Sequence, residues 1–209
     1  AFGLDPVRTL SLRLPPLRSV VGAALVGVSA WAVVAGVVLR LLPDVPDELV
    51  KGLEKVLMRG VPGALPLALL LVAVVPAVCE ELLFRGLVLS GLRKLGPWVG
   101  VLLTAVLFGL AHASVHRLLP TALLGVAFGL LALRSGSVVP GMIAHGLNNG
   151  LAVLLVHHPG IAETLGVQDP EAPLPWGVTA AAAVVCGVGL WLASTAQPRG
   201  EGAGEKLGG

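Results

Sequence analysis

Between Val61 and Leu92 the chain reads VPGALPLALLLVAVVPAVCEELLFRGLVLSGL, and the fold turns on how this stretch is read. It outlasts the twenty or so apolar residues that carry a helix across a bilayer, and its only charged side chains are Glu80, Glu81 and Arg85. Pro62, Pro66 and Pro76 interrupt it. A proline inside a helix removes a backbone bond and bends it, so a kink is expected at Pro76, just ahead of the charges. An ionisable group at membrane depth costs a few kcal/mol or more on insertion scales and needs a partner or a function. Residues four apart share a helix face, so Glu81 and Arg85 are expected to pair. At about 100° per residue, Glu80 points about 140° away from Arg85 and is left as the unpaired acid.

The flanking sequence repeats the membrane signal. Apolar stretches run from about Ser19 to Leu42, Trp98 to Ala113, Leu118 to Leu133, Val138 to Val156 and Trp176 to Ala196. With the central one they predict an all-α, polytopic transmembrane helix bundle of about six spans. The whole chain, 209 residues, is 56% hydrophobic and 12% charged with mean hydropathy +0.92, whereas a soluble domain carries about a quarter charged residues. A water-soluble globule is thereby excluded. Residues 43–59 mix acids and bases with Leu49, Val50, Leu53, Val56 and Leu57, the pattern of an amphipathic helix lying at the interface. The tail 197–209 is Gly-rich and polar and is expected to be disordered. The division is therefore 1–60 for the N-terminal segment, first span and interfacial helix, 61–156 for a polar-centred core, 157–196 for an extramembrane loop and last span, then the tail.

The basic residues lie at the edges of apolar runs instead of forming one patch, so nucleic acid is not an expected partner. Arg8, Arg13, Arg18, Arg93, Lys94, Arg134, Arg199 and Lys206 fall on one side, against Lys51, Lys55, Arg59 and Arg117 on the other. By the positive-inside rule both termini are cytoplasmic. Cys79 and Cys186 sit inside apolar runs and indicate no disulfide framework.

Two further spans carry groups that an apolar helix does not need. The string FGLAH places Phe108 and His112 four apart on one face, and HGLNN does the same for His145 and Asn149. Glu80, His112, His145 and Asn149 together offer an acid or base, two imidazoles able to donate to a developing oxyanion, and an amide able to orient either. That is a hydrolytic set. The bland alternative is a buried charge pair locking helices, with Glu80 facing a polar cavity. If a divalent metal such as zinc were bound, Glu80, His112 and His145 would be its ligands. Asn is a poor zinc ligand, however, and the HExxH spacing of zinc proteases is absent, so a glutamate-activated water that requires no cofactor is favoured.

These strings also resemble a known pattern. EELLFR is similar to the EExxxR motif, FGLAH to the FxxxH motif and HGLNN to the HxxxN motif of the CAAX-protease and bacteriocin-processing (CPBP) intramembrane proteases, in the family's order and on successive apolar stretches. The resemblance covers about Val61 to Val156. It implies a helical membrane peptidase acting on a peptide or protein substrate, either a lipidated C-terminus or a leader or sorting tail. By that likeness Glu80 would activate the water, His112, His145 and Asn149 would hold it or stabilise the oxyanion, and Glu81 and Arg85 would support the site, with Phe108 beside them. The surrounding sequence also resembles the version of the domain fused behind ABC-type permease subunits in bacteria. That likeness implies the bacterial inner membrane, ABC transporter subunits as partners, and an excised C-terminal domain starting at Ala1. A non-catalytic protein that kept the cluster, as a transporter accessory, proton relay or bacteriocin immunity factor, is the competing reading.

Other polar residues take plainer expectations. His116 and Arg117 read as a solvated loop beside the site, His157 and His158 as interface residues, and Asn148 as a helix-to-helix hydrogen bond on another face from Asn149. Counted from the cytoplasmic ends at about 1.5 Å per residue, Glu80 and His112 fall about 20 Å deep but His145 only about 10 Å.

Overall fold

The computed structural model describes residues 7, 10–41, 46–167 and 173–194, so the expected disordered tail lies outside the described residues. The long apolar runs become α1 (Leu17–Val38), α3 (Leu65–Leu92), α5 (Val115–Ser135), α6 (Val139–His157) and α8 (Trp176–Ser194), each long and apolar enough to cross a bilayer. The interfacial stretch forms α2 (Asp47–Val56), and α7 (Pro159–Thr164) occupies part of the loop between α6 and α8. One expected span is shorter than a crossing: α4 covers Pro97–Ala111, 15 residues, or about 22 Å of helix against a hydrocarbon core of about 30 Å. Proline at its first position starts it, and His112 ends it. Helices account for every regular element among the described residues, and the chain is an integral membrane protein.

Most of the surface is apolar, as hydrocarbon solvent requires. Leu67, Leu70, Leu71, Val74 and Val78 on α3 and Leu102, Leu103, Val106, Leu107 and Leu110 on α4 are all exposed. Between helices, small residues replace large ones. Gly22 of α1 meets the backbone of Gly189 and Ala193 in α8, and a Cβ on Gly27 would lie 2.7 Å from the Ala144 carbonyl oxygen of α6. Such close backbone approach is how helices associate where lipid removes the hydrophobic drive. Ala23, Val26, Ala30, Phe128, Leu131, Ala144 and Ala193 form the core at this junction.

Helix α3 is not a simple α-helix. Two π-helical stretches, Leu69–Val74 and Leu82–Val88, flank an α-helical segment, Val75–Glu81. Such wide turns gather at functional sites, and here they bracket the two glutamates. Pro76 has no N–H to offer the Val72 carbonyl one turn back. Asn149 of α6 donates to that carbonyl at 3.0 Å.

The turn between α5 and α6 resolves the mismatch in depth. Ser135, Ser137 and Val138 are buried, and the N-terminal segment crosses over them. Val138 donates its backbone N–H to the Ser11 carbonyl at 3.1 Å, and the Ser137 hydroxyl donates to the Arg13 carbonyl at 2.6 Å. Since α6 begins beneath this cover, His145 reaches the level of Glu80 although it lies near its helix's start.

Candidate active site

Glu81 and Arg85 form the centre of the bundle. Their side chains are 0% exposed, and Arg85 Nη1 donates to Glu81 Oε1 at 2.8 Å while Nη2 donates to the Gly125 carbonyl of α5 at 2.8 Å. The guanidinium carbon also lies 4.6 Å from the Phe108 ring centroid, a cation–π arrangement strengthened by the dry surroundings. Two glycines make the room. A Cβ on Gly141 would sit 2.6 Å from Glu81 Oε2, and one on Gly125 would sit 3.1 Å from the Ala105 Cα.

His145 is tied to this pair. Its Nδ1 lies 3.1 Å from Glu81 Oε1, and because a carboxylate paired to a guanidinium only accepts, Nδ1 carries the hydrogen. The ring is stacked on Phe128 at 5.2 Å and meets the edge of Phe108 at 5.7 Å. Its position is thus fixed on three sides. Its Nε2 faces Glu80 Oε2 at 3.9 Å, beyond direct hydrogen-bond length.

Glu80 differs from Glu81 as the helical angle predicts. Its side chain is 33% exposed, and its Oε2, turned to the His145 ring, has no hydrogen-bond partner. It opens on a cavity of ≈ 380 Å³ that His112, His145, Asn148 and Asn149 also line. His112 arrives there because α4 stops short. Its Nδ1 bonds the Phe108 carbonyl one turn back at 2.9 Å, so that nitrogen is the donor and Nε2 remains for the cavity.

All four sequence candidates, Glu80, His112, His145 and Asn149, therefore share one cavity, Phe108 lines it with them, and Glu81 and Arg85 lie behind it. Both imidazoles spend Nδ1–H on protein acceptors, so each neutral ring presents a bare Nε2 and donates to a substrate oxygen only as imidazolium. Among the described residues no group of three His, Cys, Asp or Glu side chains stands close enough to hold a metal ion. The alternative ligand set Glu80, His112 and His145 does not fit a zinc centre in this geometry, where one ion would need all three at about 2 Å.

Five residues were misplaced or missed by the sequence. Asn148 lines the same cavity as Asn149 rather than another face, and donates to Asn149 Oδ1 at 3.3 Å. Because the Val72 carbonyl fixes Asn149 Nδ2, Asn149 Oδ1 must face Asn148, and Asn148 Oδ1 is left buried without a partner. His116 and Arg117 belong to the first turn of α5 and not to a loop, and Arg117 lines the cavity. Phe128 carried no signal, since its role depends on stacking across helices. His157 is not merely interfacial, for its Nε2 bonds the Leu57 carbonyl at 2.8 Å.

Comparison with known proteins points to the same region. Residues 62–151 match the family described as type II CAAX prenyl endopeptidase Rce1-like. The protein named "Putative membrane peptidase YdiL" from Bacillus subtilis (strain 168) is 28% identical over 97 residues, 46% of this chain and 40% of that protein. An "Uncharacterized 24.3 kDa protein" from Escherichia coli is 31% identical over 93 residues, 42% of each chain. The match thus spans 40% and 42% of the length of these two relatives. No solved structure matches the chain.

Proposed function

We propose that this chain, whose residues 62–151 carry the Rce1-like peptidase pattern, is an intramembrane endopeptidase that hydrolyses a peptide bond near the membrane surface. The observation that carries the reading is the division of labour between adjacent glutamates. Glu81 consumes Arg85, whereas Glu80 faces the cavity with an unpartnered oxygen 3.9 Å from His145 Nε2. A lock between helices needs only the first pair.

In the proposed step Glu80 takes a proton from water, and the water oxygen adds to the scissile carbonyl carbon. His145, held by Glu81, and His112, held by the Phe108 carbonyl, donate through Nε2 to the oxyanion in their protonated forms. Asn149 fixes the cavity wall at Val72. When the carbon–nitrogen bond breaks, the proton on Glu80 passes to the leaving nitrogen, and an acid and an amine result. No step runs through a metal.

Val56 and Arg117, both exposed, line the cavity at the end opposite the N-terminal start of α1, and in this reading that end is its mouth. With both termini on the cytoplasmic side of a bacterial inner membrane, as the basic residues suggest, that mouth faces away from the cytoplasm. A leader or sorting tail of an exported protein meets such a site more directly than a lipidated cytosolic C-terminus does. ABC-type permease subunits are the partners this setting suggests.

The test is Glu80→Gln, compared with the wild type by proteomics of N- and C-terminal fragments in cells. Loss of at least ~10²-fold in cleavage, the scale of general acid–base catalysis, with normal folding and expression, is the expected outcome. Cleavage retained in that variant removes the proposed base.

A further inference from the structure

We propose that Arg117 selects the substrate through an anionic group, pairing with a carboxylate on the peptide a few residues from the bond that is cut. This deepens the hydrolytic reading above and rests on it. Arg117 is exposed and lines the cavity that holds Glu80, His112 and Asn149. Among the lining residues it is the only lysine or arginine, and Glu80 is the only acid. The described ion pairs do not include it.

Its own helix makes matters worse for an isolated cation. Ser114, at the N-cap of α5, makes no side-chain cap, and the first turn holds no acid, so the positive end of the helix adds to the guanidinium charge. The cavity is therefore polarised, with a carboxyl at its floor and uncompensated positive charge at its mouth. A guanidinium matches a carboxylate in a two-pronged geometry that an amide or hydroxyl cannot offer.

The spacing limits where that carboxylate lies. Arg117, Thr121, Leu124 and Phe128 follow one face of α5 along the cavity, and Phe128 stacks on His145. Eleven residues at about 1.5 Å put Arg117 about 16 Å along the helix from Phe128. An extended peptide covers that in about five residues, and the reach of the arginine shortens it. A free C-terminus and an Asp or Glu side chain both supply the group. A lipid phosphate is the rival anion, and would make Arg117 an interface anchor instead.

Binding tests this without waiting on turnover. The full chain carrying Glu80→Gln, in phosphatidylcholine nanodiscs, is titrated with three fluorescent decapeptides of one apolar sequence: a free acid, its C-terminal amide, and the amide with one internal Asp. Either carboxylate peptide is expected to bind at least about tenfold more tightly than the plain amide, and the tighter one names the source. Adding Arg117→Gln should bring all three together, and Arg117→Lys should restore part of the preference. Three peptides that bind alike, no binding by any, or a preference that survives Arg117→Gln would overturn the assignment. So would an Arg117→Gln effect seen only as lost phosphatidylglycerol retention in parallel nanodiscs that contain that lipid, which would identify the lipid as the partner. Carboxylate-dependent binding by a wild type that cuts no peptide keeps this site and removes the enzyme, so the two failures are distinguishable.

Discussion

Replacing Arg85 with leucine separates the structural charges from the chemical one. Arg85 and Glu81 are fully buried, and the guanidinium makes 2.8 Å bonds to Glu81 Oε1 and to the Gly125 carbonyl. Glu81 Oε2 has no hydrogen-bond partner even in the intact protein. Arg85→Leu strands a carboxylate among rings and small residues, and breaking one side of a buried ion pair costs about 3–5 kcal/mol. At ~1.4 kcal/mol per factor of ten, the ratio of folded to unfolded protein falls by a factor of roughly 10² to 10³ or more. Scaled as for soluble chains of this size, the thermal midpoint drops by roughly 6–20 °C. Neutralising both partners, Glu81→Gln with Arg85→Gln, leaves no buried charge, so its loss should be the smaller even though glutamine is shorter than the arginine it replaces. Glu80→Gln, at a partly exposed position outside the hydrogen bonds of Arg85, should leave the stability within ~1 kcal/mol of the wild type. The assay is thermal unfolding of detergent-solubilised protein, read by size-exclusion fluorescence. Equal midpoints for Arg85→Leu and the double variant would refute the argument, as would a Glu80→Gln protein as damaged as Arg85→Leu.

Other outcomes follow from close approach and from topology. Gly141→Ala places a Cβ 2.6 Å from Glu81 Oε2, whereas at Gly146 the nearest atom would be 3.6 Å away; peptide cleavage and thermal midpoint should both fall in the first variant and hold in the second. In a background with Cys79 and Cys186 changed to alanine, membrane-impermeant maleimide on intact cells should label Arg117→Cys and not Lys94→Cys. The reverse labelling would turn the cavity mouth to the cytoplasm and restore lipidated cytosolic C-termini as the better substrate class.

The sequence by itself determined what is local along a helix. Apolar length specified the membrane class, and the spacing of four specified which pairs share a face: Glu81 with Arg85, Phe108 with His112, His145 with Asn149. The same periodicity set Glu80 apart from Arg85. Tertiary structure alone decided which faces meet. The bond from Glu81 to His145 spans 64 positions, Phe128 reaches His145 only through packing, and Asn148 joins the cavity because α6 lies against α3 where Pro76 leaves a carbonyl to be met. The sunken turn at Gly136–Val138 that lifts His145 to the level of Glu80 could not be counted along the chain. A depth count assumes that every helix starts at the same plane, and the buried turn beneath residues 10–13 breaks that assumption.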